Sequence, residues 1–377
     1  ADNGVGGAIF VQQVSGTITN GSFTGNSSGQ GGAIADGGGL AITGTTLSQN
    51  SALIDGGALW AGQTDSLTMS TLSNNKVTNA LDGEGGGGVF QNGGMITVAE
   101  TTFADNQVTV TNNSANAGGG GMFVLAGLNM TQSTLYTNQV HGGISGAASG
   151  GCAILTYANS ATVVNSTMVA NSTSTSDGGG IMMANNASAT VTNATLYGNS
   201  AGGNGGDIDD PQGSLTLGNS ILAAGTNNGT AGELNTAGGS FTDNDYNLIQ
   251  HSVSGNPLTG THDLFGDPQL VTLANNGGPT ETMAETVNSQ TRGKIPYVTV
   301  KNLVNCGANY GAQATVDQRG YSRGSGNVCD IGAFEYAGIA VAKPRPMNGT
   351  PPKRTAHVDR RLSEAPPRQR RFVLPPP

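Results

Sequence analysis

Residues 31–59 read GGAIADGGGLAITGTTLSQNSALIDGGAL and hold one full period of a repeat. The step Gly31-Gly32-Ala33-Ile34 returns as Gly56-Gly57-Ala58-Leu59. Between the two steps lies Leu47–Asn50, in which an apolar residue is followed three positions later by asparagine. Paired glycines are typical of tight corners, because glycine adopts positive φ without a steric penalty. The stretch therefore predicts short elements joined by sharp turns.

Eight copies of the Gly-Gly step occur in the first part of the chain. They are followed by small or apolar residues, and they recur every 25 to 33 residues. A fixed period of this length is the signature of a repeat architecture rather than of a single globular core. The second glycines of the steps are Gly7, Gly32, Gly57, Gly88, Gly121, Gly151, Gly180 and Gly206.

The apolar-x-x-Asn motif runs in phase with the Gly-Gly steps. Short alternating runs such as Ile96-Thr97-Val98 lie between the two motifs, and alternation with β-branched residues predicts strands. The copies are Phe23–Asn26, Leu47–Asn50, Leu72–Asn75, Phe103–Asn106, Leu135–Asn138, Met168–Asn171 and Leu196–Asn199.

One period with about three short strands and Gly/Asn corners is the size of one coil of a parallel β-helix. We therefore predict an all-β solenoid of about eight coils. Each strand would pair with its counterpart one coil away at roughly 4.8 Å, and the coils would span on the order of 40 Å. Stacked asparagine side chains can hydrogen-bond along the axis. Stability would come from stacking, since no single coil buries enough surface alone.

The paired Gly-Gly-Ala and Phe-x-x-Asn motifs over residues 1–222 resemble those of polymorphic outer membrane protein repeats and related bacterial surface proteins. From about residue 240 the sequence changes. Asp245-Tyr246-Asn247-Leu248-Ile249, Asn275-Asn276-Gly277-Gly278-Pro279-Thr280 and the segments 317–323 and 329–336 are, in this order, similar to the C-terminal module of choice-of-anchor Q domain proteins. This resemblance implies a bacterial secreted β-helix of right-handed sense that is displayed on a surface. The usual sorting signal does not follow Tyr336.

We accordingly divide the chain into β-helix repeats at 1–239, a loop-rich capping module at 240–339 and a basic, proline-rich extended tail at 340–377. Cys306 and Cys329 lie in the module, and we expect them to form a disulfide that closes it, which implies an oxidising, extracellular setting. No apolar run is long enough to span a membrane. The remaining cysteine, Cys152, occupies an alanine or valine position of the repeat and is expected to be a core residue.

Charge is distributed unevenly along the chain. Of the net charge of −9, residues 1–339 carry −16 and residues 340–377 carry +7. An acidic body disfavours nucleic-acid binding. The basic tail suits an acidic partner, such as the body of another copy. Its predicted assembly contacts are Arg345, Lys353, Arg354, Arg360, Arg361, Arg368, Arg370 and Arg371.

Catalytic residues are hard to find in the repeats. Lys76 is the only lysine or arginine before Arg292, whereas a lyase acting on uronates needs a basic residue and acidic calcium ligands. Asp207, Asp209 and Asp210 form one acidic cluster, which suits either Ca²⁺ or, as we prefer, a solvated edge.

Other candidate residues also have ordinary interpretations. His141, His251 and His262 lack a second ligand at metal-binding spacing. Trp60 suits a sugar platform or, as we prefer, packing. The group Asp317-Gln318-Arg319 with Asp330 suits either a carbohydrate or acid–base site or, as we prefer, an ion pair that fastens the module. We expect no catalytic residue, cofactor or metal ligand.

Three functions remain open from the sequence, of which the weakest is a passenger domain that acts only as a spacer away from the cell. We favour a non-catalytic extracellular or cell-surface structural protein, either an adhesin or a matrix or filament subunit built by head-to-tail stacking. The first coil begins almost at once, at Gly6-Gly7-Ala8, and has no evident cap, and an uncapped strand edge favours pairing with another chain. The alternative is a β-helix that binds or degrades polysaccharide, acting as a lyase or a glycoside hydrolase.

Overall fold

The computed structural model describes residues 4–340 except 82, 113, 115, 145–148, 252–257, 301–302, 307–314, 325–326 and 337. In this part of the chain all regular structure is β, and no helix is long and apolar enough to cross a membrane. The strands stack into a parallel β-solenoid of about nine turns, which confirms the predicted all-β class and parallel β-helix. The described residues belong to one compact unit, and residues 341–377 lie outside them.

The ninth turn was not expected from the repeat motif. Its strands are Leu234–Asn235, Ser240–Asp243 and Leu248–Ile249, and each pairs in parallel with the corresponding strand of the eighth turn. Leu264–Phe265 adds a further parallel strand. This turn lacks the Gly-Gly step, so a count based on glycines stops one turn too early. Solenoid pairing thus continues past the predicted boundary at residue 239.

Sheet I contains the strands that follow the Gly-Gly steps. Ile34 and Leu59 belong to the main core, whereas Trp60, Phe90 and Phe123 form a separate apolar stack on the other face of the sheet. Its nine strands are Ile9–Val11, Ile34–Asp36, Leu59–Ala61, Val89–Gln91, Met122–Val124, Ile154–Tyr157, Ile181–Ala184, Ile208–Asp209 and Leu234–Asn235.

Sheet II contains the alternating runs. Leu67, Val98 and Val163 enter the core, and the threonines between such residues point outward. Its nine strands are Gly16–Thr19, Leu40–Thr43, Asp65–Thr68, Ile96–Ala99, Leu128–Thr131, Ser160–Val164, Ser188–Thr192, Ser214–Gly218 and Ser240–Asp243.

Sheet III contains the apolar residue of each apolar-x-x-Asn motif. Leu47, Leu72 and Phe103 stack directly above one another in the core and are fully buried. Burying one such side chain contributes roughly 1.5–3 kcal/mol. The ten strands are Ser22–Thr24, Thr46–Ser48, Thr71–Ser73, Thr102–Ala104, Thr134–Tyr136, Thr167–Val169, Thr195–Tyr197, Ile221–Ala223, Leu248–Ile249 and Leu264–Phe265.

Sheet IV closes each turn beside a smaller core of Val77, Val108, Val140 and Cys152. Its last strand pairs in antiparallel fashion with the strand before it, which ends the parallel stacking on this side. The strands are Ser27–Gln30, Ser51–Asp55, Lys76–Ala80, Gln107–Val110, Gln139–His141, Ser172–Thr173, Ser200–Ala201, Thr226–Asn227 and Thr230–Ala231.

The corner before sheet I explains the Gly-Gly step. Gly56 has a φ of 60°, in the left-handed region that favours glycine. A Cβ atom on Gly57 would overlap the carbonyl oxygen of Gly87 in the next coil. The first glycine thus makes the turn, and the second lets neighbouring coils approach each other.

An asparagine ladder runs through seven coils at the end of sheet III. In the five rungs from Asn50 to Asn171 the side-chain amide donates to the Oδ1 of the next asparagine and to a backbone carbonyl of the preceding coil. Asn75, for example, donates to Asn106 Oδ1 at 2.9 Å and to the carbonyl of Leu47 at 3.0 Å. The ladder asparagines are Asn26, Asn50, Asn75, Asn106, Asn138, Asn171 and Asn199.

A second ladder of hydroxyl groups lies at the corner between sheets II and III. The backbone N–H of Thr45 donates to Ser70 Oγ at 3.1 Å, and that of Ser70 donates to Thr101 Oγ1 at 3.3 Å. Each hydroxyl in turn donates to the carbonyl two residues before it, as Ser70 does to Thr68 at 2.8 Å. Both ladders satisfy buried polar groups through the next coil, so they hold the coils in register.

The remaining strands lie in the C-terminal module and are antiparallel. Ile295–Val300 pairs with Leu303–Cys306 and with Val328–Cys329, and Tyr321–Ser322 pairs with Ile339–Ala340. Cys306 and Cys329 form the expected disulfide, with their Cα atoms 5.7 Å apart.

Candidate functional site

The C-terminal module lies along the side of the solenoid, against sheet III. Thr134 Oγ1, on the fifth coil, donates to the carbonyl of Glu281 at 2.6 Å. On the seventh coil, Thr195 Oγ1 accepts from the backbone N–H of Ala333 at 3.0 Å. On the eighth, the carbonyl of Asn219 accepts from Gly332 N–H at 2.8 Å. The module therefore spans four coils, and its contacts are with a sheet face.

Gln318 is central to this docking. Its side-chain amide donates to Thr134 Oγ1 at 2.7 Å and to Thr280 Oγ1 at 3.0 Å, and its Oε1 accepts from Thr167 Oγ1 at 2.6 Å. The residue is fully buried. One amide thus joins two coils of the solenoid to the module.

Two arginines complete the contact. Arg319 forms an ion pair with buried Asp317 at 2.7 Å, and its guanidinium lies 3.7 Å from the ring centroid of Phe334. Arg323 donates to Asn165 Oδ1 at 3.0 Å and to the carbonyl of Gly332 at 2.6 Å. This arrangement agrees with the interpretation of the Asp317-Gln318-Arg319 segment as a buried fastening, because these groups bond to one another and to sheet III.

Three acidic side chains cluster on the other side of Arg323. Glu285, Asp330 and Glu335 are each at most 5 % exposed. Asp330 accepts backbone N–H groups from Gly293 and Tyr336, each at 2.6 Å. The Glu285 carboxyl is a close neighbour of Asp330 and accepts a hydrogen bond from the Thr291 hydroxyl.

Burial dominates the electrostatics of this cluster. Desolvation, reinforced by the charge of Asp330, raises the pKa of Glu285 well above its usual range. It also raises the pKa of Glu335 to about 7, with Arg323 acting in the opposite direction. Near neutral pH, Glu335 can therefore either hold or release a proton, as a general acid or base must.

Asp330 and Glu335 also line an open cavity of about 340 Å³. Arg292 and Tyr336 line it as well, and the Arg292 guanidinium lies 3.4 Å from the Tyr336 ring centroid. The cavity thus offers one cation, one aromatic ring and a titratable carboxyl group to a small ligand. Sequence reasoning missed Glu285, which precedes its partner by 45 residues and carries no motif.

Asp207, Asp209 and Asp210 do not act as one group. Asp207 ends the asparagine ladder, where its Oδ1 accepts from Asn199 at 2.7 Å. Asp209 accepts from Asn235 at 2.6 Å, and Asp210 from Gly213 N–H at 2.6 Å. All three are buried, so the expected solvated edge is wrong. Among the described residues no group of three acidic, histidine or cysteine side chains is arranged to hold a metal ion.

A further acidic pair lies inside the solenoid near the N-terminal end. The Asp65 carboxyl lies close to that of Asp36, and it accepts a hydrogen bond from the backbone N–H of Leu40 at 2.7 Å. Burial, followed by the effect of Asp36, raises the pKa of Asp65 to about 7. The next residue in its column is Ile96, so Asp65 stands in an otherwise apolar stack.

Two of the histidines pair with acids. His251 Nδ1 lies 2.8 Å from Glu233 Oε1, and His262 Nδ1 lies 2.7 Å from Asp245 Oδ2. The His262 ring is also stacked on Tyr246, with centroids 4.7 Å apart. His141 is exposed on sheet IV. The acid partners lie 17 or 18 residues away, so spacing alone did not reveal them.

The remaining predicted residues divide into two sets. Cys152 is buried in the smaller core and is a free thiol, and burial raises its pKa. Trp60 is half-buried beside Phe90. The tail residues predicted to mediate assembly, from Arg345 to Arg371, lie outside the described residues.

Comparisons with known proteins add no identity to this geometry. No protein-family model, no curated protein and no solved structure matches the chain.

Proposed function

We propose that this chain is a non-catalytic extracellular structural protein that works as a rigid adhesive rod. The observation that supports this most is the use of polar side chains in the coils. The asparagine and hydroxyl ladders direct these groups to the next coil, where they hold the stack in register. Such side chains serve rigidity and are not displayed to a substrate.

The docked module supports the same role. It lies across four coils and is held by Gln318, Arg323 and the Asp317–Arg319 ion pair, and the Cys306–Cys329 disulfide closes it. A disulfide is typical of proteins exposed to an oxidising environment. The disulfide supports our proposal that the protein works outside the cell or on its surface.

The two ends of the solenoid differ in how well they suit self-assembly. In the first coil, four side chains that pack against the main core are only partly buried: Ile9, Val11, Ile18 and Phe23. Either a further coil of the same polypeptide or a second copy can cover this edge. At the other end Leu258 enters the core, and the antiparallel pairing of Thr230–Ala231 interrupts the parallel edge. Head-to-tail stacking would have to displace this cover.

Assembly is testable through the tail, whose net charge of +7 opposes the −16 of residues 1–339. If the tail clasps a neighbouring body, sedimentation at low salt should show larger species for the full chain than for a chain that lacks residues 340–377. Electron microscopy of the same samples should show filaments. Equal sedimentation of both chains would exclude the clasp.

The cavity beside Glu335 favours a second candidate, a polysaccharide-degrading β-helix. A carboxyl group whose pKa is about 7 suits acid–base chemistry, and Arg292 suits an anionic sugar. The deciding experiment incubates the chain with uronate and neutral glycans and measures both reducing ends and unsaturated products.

If the structural proposal holds, the chain should release no product from any of these glycans, whether or not it binds them. Product release that is lost in Glu335→Gln, but kept in a matched surface variant such as Glu100→Gln, would replace the structural proposal with the enzymatic one.

A further inference from the structure

The outer face of sheet II is a regular grid of threonine side chains. Two columns of outward-pointing residues run along the solenoid, one at each end of the short strands. The first column is Thr17, Ala41, Ser66, Thr97, Asn129, Thr162, Thr190, Thr216 and Thr242, and the second is Thr19, Thr43, Thr68, Ala99, Thr131, Val164, Thr192 and Gly218. Threonine occupies eleven of these seventeen positions, and none of the seventeen is charged or aromatic.

The register of this grid is unbroken. Every strand pair of sheet II aligns without a shift, whereas sheet IV contains irregularities next to Ser28 and Val77. Flat stacking over many strands is favoured by side-chain ladders, and the hydroxyl ladder lies at the edge of this sheet. The threonines therefore repeat in two dimensions.

The threonine hydroxyls of the two columns form no hydrogen bond within the described part of the chain. The equivalent outward threonines of sheet III behave differently, because Thr134, Thr167 and Thr195 bond to the C-terminal module. Four threonines of the first column, including Thr97 and Thr190, are exposed. In the second column Val164 and Gly218 are buried, so sheet II presents unused hydroxyl and methyl groups to the solvent along the first column and along the second column from Thr19 to Thr131.

The spacing of the grid suggests what it binds. Neighbouring coils place equivalent side chains roughly 4.8 Å apart, and the two columns are separated by two residues, or roughly 6.7 Å. The prism face of hexagonal ice presents oxygen atoms on a rectangular grid of similar dimensions. Each threonine contact is weak, but many contacts made at once by one rigid body add to a stable attachment.

We propose that the outer face of sheet II binds ice, with the threonine hydroxyls at lattice positions and their methyl groups against the ordered water layer. A charged polymer would need opposite charges on the face, and a sugar chain is normally held by stacking on aromatic rings. The two columns contain neither. This role goes beyond the proposed structural function and does not depend on self-assembly or on the cavity.

The test uses the full chain, labelled with a fluorophore, and a single ice crystal grown slowly in its solution. We expect the protein to be incorporated into the ice and to shape the crystal, and we expect measurable thermal hysteresis in a nanolitre osmometer. Thr97→Tyr and Thr190→Tyr, placed on different coils, should each reduce incorporation roughly tenfold, because a bulky ring holds the rigid grid off the lattice.

The matched control is Thr46→Tyr, an equally exposed threonine on a free coil of sheet III. It should bind ice like the unchanged chain. Circular dichroism of each variant establishes that the solenoid is intact, and the second variant covers the case in which one substitution disturbs folding. Exclusion of the unchanged chain from ice, or equal incorporation of the sheet II and sheet III variants, would overturn the proposal.

Discussion

The side-chain amide of Asn199 donates a 2.7 Å hydrogen bond to Asp207 Oδ1, so the asparagine ladder ends on a fully buried carboxyl group. Burial raises the pKa of Asp207 well above its usual range, and the other oxygen, Oδ2, has no hydrogen-bond partner among the described residues. The last rung is therefore a buried carboxyl group that resists ionisation, and it lies beside Gly225, where the motif would place another asparagine.

Asp207→Asn is expected to be neutral or stabilising at pH 8, since it keeps the acceptor and removes a group that resists ionisation in the core. Asp207→Ala should lower the free energy of unfolding by about 1–3 kcal/mol, because the Asn199 amide loses its acceptor. Urea unfolding followed by circular dichroism measures both. A larger loss for the asparagine variant than for the alanine variant would contradict this account of the ladder.

Alanine substitution should destabilise the protein more in the middle of the asparagine ladder than at its start. Asn106 accepts from the side chain and the backbone of Asn75, and it donates to Leu72 and Asn138. Asn106→Ala should therefore cost about 2–4 kcal/mol, since several buried groups lose partners. Asn26→Ala, at the part-buried first rung, is the control and should cost less. Equal shifts in the urea midpoint would show that the ladder does not stabilise the coils.

Stability should decrease as the pH rises from about 4 to 7. Burial raises the folded pKa values of Asp65, Asp209 and Glu335 to about 7, above the values near 4 of the unfolded chain. Between these pH values the native state binds more protons than the unfolded state. The stabilisation from these groups is therefore complete below about pH 4 and is lost as the pH rises through the folded pKa of about 7. The lowered pKa values of Asp243 and Asp245 act only below about pH 4.

Asp65→Asn should reduce this pH dependence and leave the fold intact, because the amide does not ionise and can donate a hydrogen bond to the neighbouring Asp36 carboxyl. Thermal unfolding between pH 4 and 8 provides the measurement, with Asp267→Asn in an exposed loop as the control. If the unfolding temperature of Asp65→Asn changes with pH as steeply as that of the unchanged chain, the Asp36–Asp65 pair does not cause the pH dependence.

The docked module should detach without loss of the solenoid. Gln318→Ala removes four side-chain hydrogen bonds to the coils and the module and leaves Thr167 Oγ1 buried without its acceptor. We expect amide hydrogen exchange to increase over residues 280–335 at least several-fold, while residues 40–140 stay protected. Asn288→Ala, at an exposed position of the same module, is the control. Faster exchange in the coils as well would mean that module and solenoid unfold as one unit.

Reduction of the disulfide should act locally too. Cys306 and Cys329 are 23 residues apart, and a bridge over a loop of that size stabilises by roughly 3 kcal/mol in the chain-entropy picture. The double variant Cys306→Ser with Cys329→Ser should lower the unfolding midpoint of the module and leave the strand signal of the coils unchanged. A free-thiol assay on the unchanged chain should detect Cys152 only after denaturation, because it is buried.

The sequence alone was sufficient for the architecture, because the determinants of a coil are local and repeated. Gly56-Gly57 marks a corner by its need for positive φ and close approach, and Leu72–Asn75 marks a core position and a ladder rung. Each such pair recurs in phase, so the spacing predicted both the all-β class and the parallel pairing of each strand with its counterpart one coil away. The ninth turn escaped because its strands keep the pairing without the glycine step.

The position of the C-terminal module was decided only by tertiary structure. Gln318 meets Thr134 and Thr167 across more than 150 residues, and Glu285 meets Asp330 across a loop, and neither contact leaves a periodic trace. The threonines of sheets II and III look alike in the sequence, yet one set bonds to the module and the other faces solvent. That difference depends on which face the module covers, and long-range packing alone determines it.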